Sequence, residues 1–456
     1  MNHRENPRAA EIPRRSFLKS TAAITALAAP YYVPASVFGQ AAPSNRINVA
    51  CIGTGNQGFL DLRNFMIHDD CQLVAVCDVN PGSDGYKEKS DVRGREPAKK
   101  LVEDYYAKQH SVGTYKGCDA YSDFRDVLSR KDIDAVIVVL PDHWHEYVTI
   151  AAARAGKDIY CEKPLGLTIA AQRRMVDEVR KHGRILQTGS HERSNSKVQM
   201  ACELVRNGAI GDVKRVVCHV GRNNKVAPGP GWQPMPVPEG FDYERWLGPA
   251  PEAPYHEDRC LYNFRFNYDY SGGQVTNYGA HSLDMAQWGL GADKTGPVSV
   301  SYGSAEYLPK GSLFNTATYT QFSCKYANGA VLDCFTASPS VLCTFFGTEG
   351  AVSVGSGGSP LLVIPSKLAA ELPRSKDRKK GPHARNFLDC VKSRSEPVAP
   401  VEVGHRSASV CHLGNIAIKL RAEKLQWDPD AEKFVGRQSE DANALLDRPA
   451  RGVWHA

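Results

Sequence analysis

From Asn45 to Gly58 the chain runs Asn-Arg-Ile-Asn-Val-Ala-Cys-Ile-Gly-Thr-Gly-Asn-Gln-Gly. An apolar run enters a G-x-G-x-x-G turn, and polar and apolar residues then alternate at helical spacing. A second apolar run, Val74-Ala75-Val76-Cys77, ends in Asp78. Gly53 allows the tight turn, Gly55 lets backbone N–H groups approach a pyrophosphate, and Gly58 lets the following helix sit close on the sheet. The helix opened by Asn56 and Gln57 adds orphan N–H groups and a positive partial charge, which suits a phosphate. Asp78 lies about twenty residues past the turn, where a carboxylate accepts hydrogen bonds from a ribose. A bare glycine turn also fits other α/β folds. Strand before, helix after and acid at this distance together imply a dinucleotide site, and Asp78 favours NAD over NADP because it repels a 2′-phosphate.

The alternation continues. Residues 96–109 suit a surface helix, Ser122 to Leu128 a short capped helix, and Ile133 to Leu140 a buried parallel strand. That strand ends in Pro141-Asp142-His143-Trp144-His145, followed by a helix through Ala155 that Gly156 stops. Strand Asp158–Cys161 ends in Glu162-Lys163-Pro164; a helix (Thr168 to His182) and a strand (Arg184 to Thr188) follow. This β-α alternation predicts a doubly wound sheet over residues 44–190.

From residue 191 the pattern changes. A helix near Val198 leads to strand Val213–Arg222 and then to a segment, Asn223 to Ser271, rich in proline, glycine and aromatics. A helix follows from His281 to Gly289. Ala327-Asn328-Gly329 marks one hairpin and Phe345 to Val354 a second, and helices near 385–392 and 404–421 close the fold. Clustered strands predict an open, mostly antiparallel sheet with helices on one face, over residues 191–456.

Length and composition permit this plan. The 456 residues suffice for two domains, and the net charge of +6 is scattered, without a basic block interleaved with aromatics, which argues against nucleic acid as a partner. The 13 cysteines form no C-x-x-C pair, so neither a disulfide framework nor a metal site is expected, and thiols such as Cys51, Cys77, Cys161 and Cys218 read as buried packing. Residues 1–42 read as an address. Arg14-Arg15-Ser16-Phe17-Leu18-Lys19 resembles the twin-arginine export motif, followed by a short apolar run broken by Pro30 that is too brief for a stable membrane span. The expectation is an exported, periplasmic or otherwise extracytoplasmic protein.

The Gly53/Gly55/Gly58 turn, Pro141-Asp142-x-x-His145, Cys161-Glu162-Lys163-Pro164 and Gly272-Gly273 followed by Gly279-x-His281-x-x-Asp284 together resemble one family. This is the glucose–fructose oxidoreductase / inositol dehydrogenase / rhizopine-catabolism (Gfo/Idh/MocA) oxidoreductase family. The resemblance implies a Rossmann domain joined to an open-sheet domain, often as a homo-oligomer, with hydride exchange between NAD and a sugar or polyol carbon in the crevice between them. It makes Lys163 and His281 catalytic, with Asp284 in reach to orient His281 from the same helical face. It sets Pro141, His145, Glu162 and Lys163 beside the cofactor. Many relatives carry an aspartate where this chain has Asn277, which orients a hydroxyl but cannot take its proton. Lys163, His281 or Tyr278 must then supply acid–base chemistry. Trp232 and Arg265, in the aromatic segment, are candidates for substrate contact beside Asn277 and His281: aromatic faces suit sugar C–H faces, and Arg265 suits hydroxyls or a carboxylate. A redox-neutral glycosidase and a non-catalytic nucleotide-binding sensor are the competing expectations.

Overall fold

The structure is a computed structural model and describes residues 45–454, apart from 88–89, 224, 338–339, 372–381 and 453. The twin-arginine segment lies outside the described residues.

Six strands form the first sheet: β1 (Ile47–Ile52), β2 (Cys71–Cys77), β3 (Asp119–Tyr121), β4 (Ala135–Val138), β5 (Asp158–Cys161) and β6 (Leu186–Thr188). Their order is β3-β2-β1-β4-β5-β6 and every pairing is parallel. Helices cover both faces, so central strands are apolar throughout; all four residues of β4 are buried. Helices Asp142–Arg154 and Ile169–Lys181 pack on one face, Asn56–Met66 and Arg95–Gln109 on the other. Thr168 caps helix Ile169–Lys181, its hydroxyl oxygen accepting from Ala171 N at 3.2 Å, a cap worth about 1 kcal/mol. The order of strands reverses between β1 and β4, which opens a crevice at their carboxyl ends.

The second sheet has nine strands: β7 (Val213–Val220), β8 (Ser299–Glu306), β9 (Tyr319–Lys325), β10 (Val331–Thr336), β11 (Cys343–Gly347), β12 (Ala351–Val354), β13 (Leu361–Ile364), β14 (Leu425–Asp428) and β15 (Lys433–Val435). Their order is β13-β12-β11-β7-β10-β9-β8-β14-β15, antiparallel except where β7 meets β10. Burial alternates along β9, β10 and β12, because one face carries the helices Ser196–Arg206, Gly279–Gly289 and Val401–Leu420. Phe322 and Phe345 are fully buried there, each contributing about 2–3 kcal/mol through lost apolar surface. Asn328-Gly329 turns β9 into β10, with Gly329 at φ +87°.

The helix His383–Ser393 departs from the sequence reading. It belongs to the C-terminal half of the chain but packs on the first sheet, Phe387 lying against Phe65 and Tyr160. Arg385 donates to both oxygens of Asp70 and Arg394 to both of Asp158, tying it down. All thirteen cysteines are free and buried, and no described helix is long and apolar enough to cross a membrane.

Candidate active site

The crevice begins at the glycine turn. Gly53 sits at φ +97°, and a Cβ there would lie 2.1 Å from the Val139 carbonyl oxygen; one on Gly58 would lie 2.3 Å from the oxygen of Gly53. No larger residue fits either place, and the helix therefore starts directly against the sheet. Gly55 precedes its first turn with no side chain capping the N–H groups, and no acid stands in that turn, so the donors face the crevice. At the end of β2, Asp78 Oδ2 accepts from Thr54 N (2.7 Å) and Thr54 Oγ1 (3.0 Å), and Oδ1 from Asn80 N (2.9 Å). These bonds fix the carboxylate on the crevice wall, leaving acceptor capacity for ribose hydroxyls. The cradle fits a dinucleotide.

Among the residues read from the sequence, Gly53, Gly55, Asn56, Gln57, Gly58, Asp78, Pro141, Glu162, Lys163, Arg265 and Asn277 all line this one crevice. They come from four strand ends of the first sheet and from the segment before helix Gly279–Gly289. The Lys163–Pro164 peptide is cis. Lys163 Nζ donates to the backbone oxygen and to Oδ1 of Asn277, both at 3.2 Å. Arg265 Nη1 donates to the same Oδ1 at 3.2 Å. Burial lowers the pKa of Lys163, with Glu162 opposing the shift, and burial also lowers that of Arg265. Glu162 Oε2 accepts from the backbone N of Lys163 at 3.1 Å, and burial raises its carboxyl.

Four other candidates do not line the crevice. His145 is fully buried and its Nδ1 donates to the Pro164 carbonyl at 2.8 Å; burial holds its pKa down at about 4. It grips the backbone beside Lys163 and stays neutral. Trp232 packs with Phe266, Leu313 and Phe314 and meets the ring of His256. Tyr278 is 42% exposed and borders Gly221. His281 opens its helix with Nδ1 buried and unpartnered, its ring 4.9 Å from that of His191. Burial, then the charge of nearby Lys163, pushes its pKa well below the usual histidine value, so it is neutral. Asp284 does not orient it. Its carboxylate accepts from Arg193 Nε at 2.9 Å and from Ser407 Oγ at 2.6 Å.

The sequence reading left Asp142 without a role. It opens helix Asp142–Arg154 inside the crevice, buried, and Ser271 Oγ donates to its Oδ2 at 2.5 Å. Burial raises its pKa to about 7, against the pull of Ser271 and the positive charges of Lys163 and Arg265. Its signal was its place directly after Pro141 at a strand's carboxyl end. His143 proves to be an anchor: its Nε2 and Trp144 Nε1 both donate to the Trp246 carbonyl, at 3.1 and 2.9 Å. That pins the aromatic segment over the crevice, where Phe241, Trp246, Tyr262 and Phe264 form a wall.

This fold and crevice define a two-domain nucleotide-binding protein of the open-sheet type. Residues 47–190 match the model described as "Oxidoreductase family, NAD-binding Rossmann fold", and residues 194–456 the one described as "Oxidoreductase family, C-terminal alpha/beta domain". The chain belongs to that oxidoreductase family, and its nucleotide is NAD. It is 32% identical to myo-inositol 2-dehydrogenase of Thermotoga maritima over 165 residues, 36% of this chain and 42% of that protein. It is 27% identical to a glycosyl hydrolase family 109 protein of Stenotrophomonas maltophilia over 244 residues, 51% of this chain and 49% of that one. The chain thus spans about half the length, or less, of these curated relatives. The same fold occurs in the WlbA dehydrogenase of Bordetella pertussis, solved with NADH and UDP-GlcNAcA. There the TM-score is 0.58 and the identity 18%, covering 84% of this chain and 99% of that one. An aldose–aldose oxidoreductase of Caulobacter crescentus, complexed with glycerol, also has a TM-score of 0.58, at 20% identity and the same coverage.

Proposed function

We propose that this protein is an exported NAD-dependent oxidoreductase that acts on a CH–OH group of a sugar, polyol or glycoside and holds its cofactor tightly. The observation that carries the reading is that Lys163 Nζ, Arg265 Nη1 and the Asn277 side chain converge in the crevice that also contains the glycine cradle. Bound NAD supplies the acceptor for the hydrogen leaving carbon. The chain's own groups manage the oxygen. A hydroxyl entering between Lys163 and Asn277 takes up the donor that Lys163 now spends on Asn277. As its proton leaves, the Lys163 ammonium stabilises the charge growing on oxygen, and its partial withdrawal from water strengthens that effect. Neutral His281 and the Asp142 carboxyl, with its pKa near neutrality, are the nearby groups suited to receive the proton.

The activities of the relatives support a sugar-like substrate, and the twin-arginine residues Arg14-Arg15 support export. No free nicotinamide nucleotide pool is expected outside the cytoplasm, so the cofactor is retained and regenerated in place. The open face of the second sheet, with Phe346, Leu362 and Ile364 exposed, suits a homo-oligomer. Asn277 favours a second reading, a redox-neutral cleavage of a glycoside, because an amide cannot serve as the base of a simple dehydrogenase. Incubating the purified full-length chain with glycosides, without added cofactor, separates the two. NADH absorbance without cleavage supports net oxidation; cleaved sugar without NADH supports the second reading. Lys163→Ala abolishes either activity while NAD stays bound, and unchanged turnover contradicts the role given to Lys163.

A further inference from the structure

We infer that the sugar this crevice takes carries a carboxylate, seated between Lys163 and Arg265. The inference rests on the carbohydrate reading above and narrows it to acidic sugars.

The two cations converge on one oxygen that bears no charge. Asn277 Nδ2 donates to Gln274 Oε1 at 2.9 Å, and Gln274 Nε2 in turn donates to the Arg222 carbonyl at 2.6 Å. This chain of bonds holds the amide so that its oxygen, and not its NH2, faces Lys163 and Arg265. Arg265 spends Nε on the Tyr262 carbonyl at 2.9 Å, and its Nη2 has no partner among the described residues. Neither cation forms an ion pair with any described carboxylate. Three acids lie near, and none pairs with either cation; Asp61 accepts from Gln57 Nε2 at 3.0 Å. Asp142 is held by Ser271, and Glu162 accepts the backbone N of Lys163.

Cations withdrawn from water without an anionic partner are costly, and proteins pair them. Stabilising one developing alkoxide needs only Lys163. Arg265 is held for something more: the rings of Tyr262 and Phe264 lie 4.1 and 5.5 Å from its guanidinium carbon and fix its plane. A planar fork with a free edge matches a carboxylate through two parallel hydrogen bonds. A carboxylate at residue 277 would neutralise the pair internally; asparagine leaves that charge for the substrate to supply.

The test titrates the full-length chain, with NAD bound and after NAD is stripped, by calorimetry. The probes are D-glucuronate, D-galacturonate and D-mannuronate, each against its methyl ester, which keeps the shape and removes the charge. At least one acid is expected to bind about tenfold or more tightly than its ester. That preference should fall to near unity in Asn277→Asp, which places a carboxylate against the two cations, and in Arg265→Met. NAD content of both variants should match the wild type. No acid outbinding its ester, or a preference that survives Asn277→Asp, overturns the inference. Failure of the oxidoreductase reading looks different: acids preferred by a chain that neither retains nor takes up NAD leave the anion subsite standing and remove the chemistry.

Discussion

Arg193 is buried and Arg265 is partly buried in the crevice wall, and the two keep different company. Arg193 is held from two sides, by Asp284 at 2.7 Å and by Asp293 at 2.8 Å, with Ser407 completing the Asp284 carboxylate and Trp288 beneath. Among the described residues Arg265 hydrogen-bonds only to a carbonyl and an amide. The same contrast extends around each. At the junction of the two domains Arg173 joins Glu402 and Glu432, Arg406 joins both again, and His405 donates to Glu432 at 2.6 Å. Each of these charges is answered from within the chain. At the carboxyl edge of the first sheet, helix N–H groups, an ammonium and a guanidinium are left for something from outside. Matched charges hold this fold together, and unmatched ones are where it binds.

The comparison breaks most visibly through rate. Lys163→Ala should lower turnover on the best substrate by roughly 10²–10⁴-fold, with thermal stability and NAD content close to wild type. Next comes the arginine pair. Arg193→Met should destabilise by about 3–5 kcal/mol, because Asp284 and Asp293 are left unanswered. Arg265→Met should change stability by less than about 1 kcal/mol, since no ion pair is lost. Denaturant unfolding of the two variants side by side reads this directly, and equal losses would erase the distinction.

Much of this was legible in the chain. Glycine spacing with Asp78, and β-branched density in β4, reflect local requirements, so every strand of the first sheet except β3 could be read. The hairpin at Asn328-Gly329 was visible for the same reason. What escaped depends on partners far away in sequence. Strand β3 is three residues at an edge, too short for periodicity to register. Strands β14 and β15 are short pieces added at the far edge of a sheet begun some two hundred residues earlier. Asp284 stands three residues from His281 at helical spacing, but Arg193, far off in sequence, captures it. His145 sits in a motif beside the cofactor and points instead at a backbone carbonyl. Spacing identifies which residues share an element; it does not say which distant group reaches them first.

Acidity gives the smallest and sharpest test. Burial pushes Glu402 and Glu432 up, but Arg173 and Arg406 on the first, and His405 and Arg173 on the second, outweigh it and hold both near about 2. Depressed carboxylates contribute stability that is complete above the ordinary carboxylate range and is lost as pH falls from about 4 towards 2. Asp142 has the opposite sign. Raised to about 7, it binds its proton in the folded chain where the unfolded chain has released it, so stability falls as pH rises from about 4 to 7. Asp142→Asn should lessen the decline on the neutral side, to which the raised carboxyls of Glu162, Asp61 and Asp78 also contribute, and leave the acid limb untouched; Arg173→Met should weaken the acid limb alone. Thermal melts between pH 3 and 8 distinguish them.

The crevice between β1 and β4 holds the nucleotide, and every other role assigned to its residues depends on that. The direct measurement is to purify the full-length chain, denature it and quantify released pyridine nucleotide by mass spectrometry, then repeat after incubation with excess NAD and removal of the free form. Close to one NAD per chain in either preparation is the expected result. A chain that releases none and takes up none contradicts the site, and with it everything built on the glycine cradle.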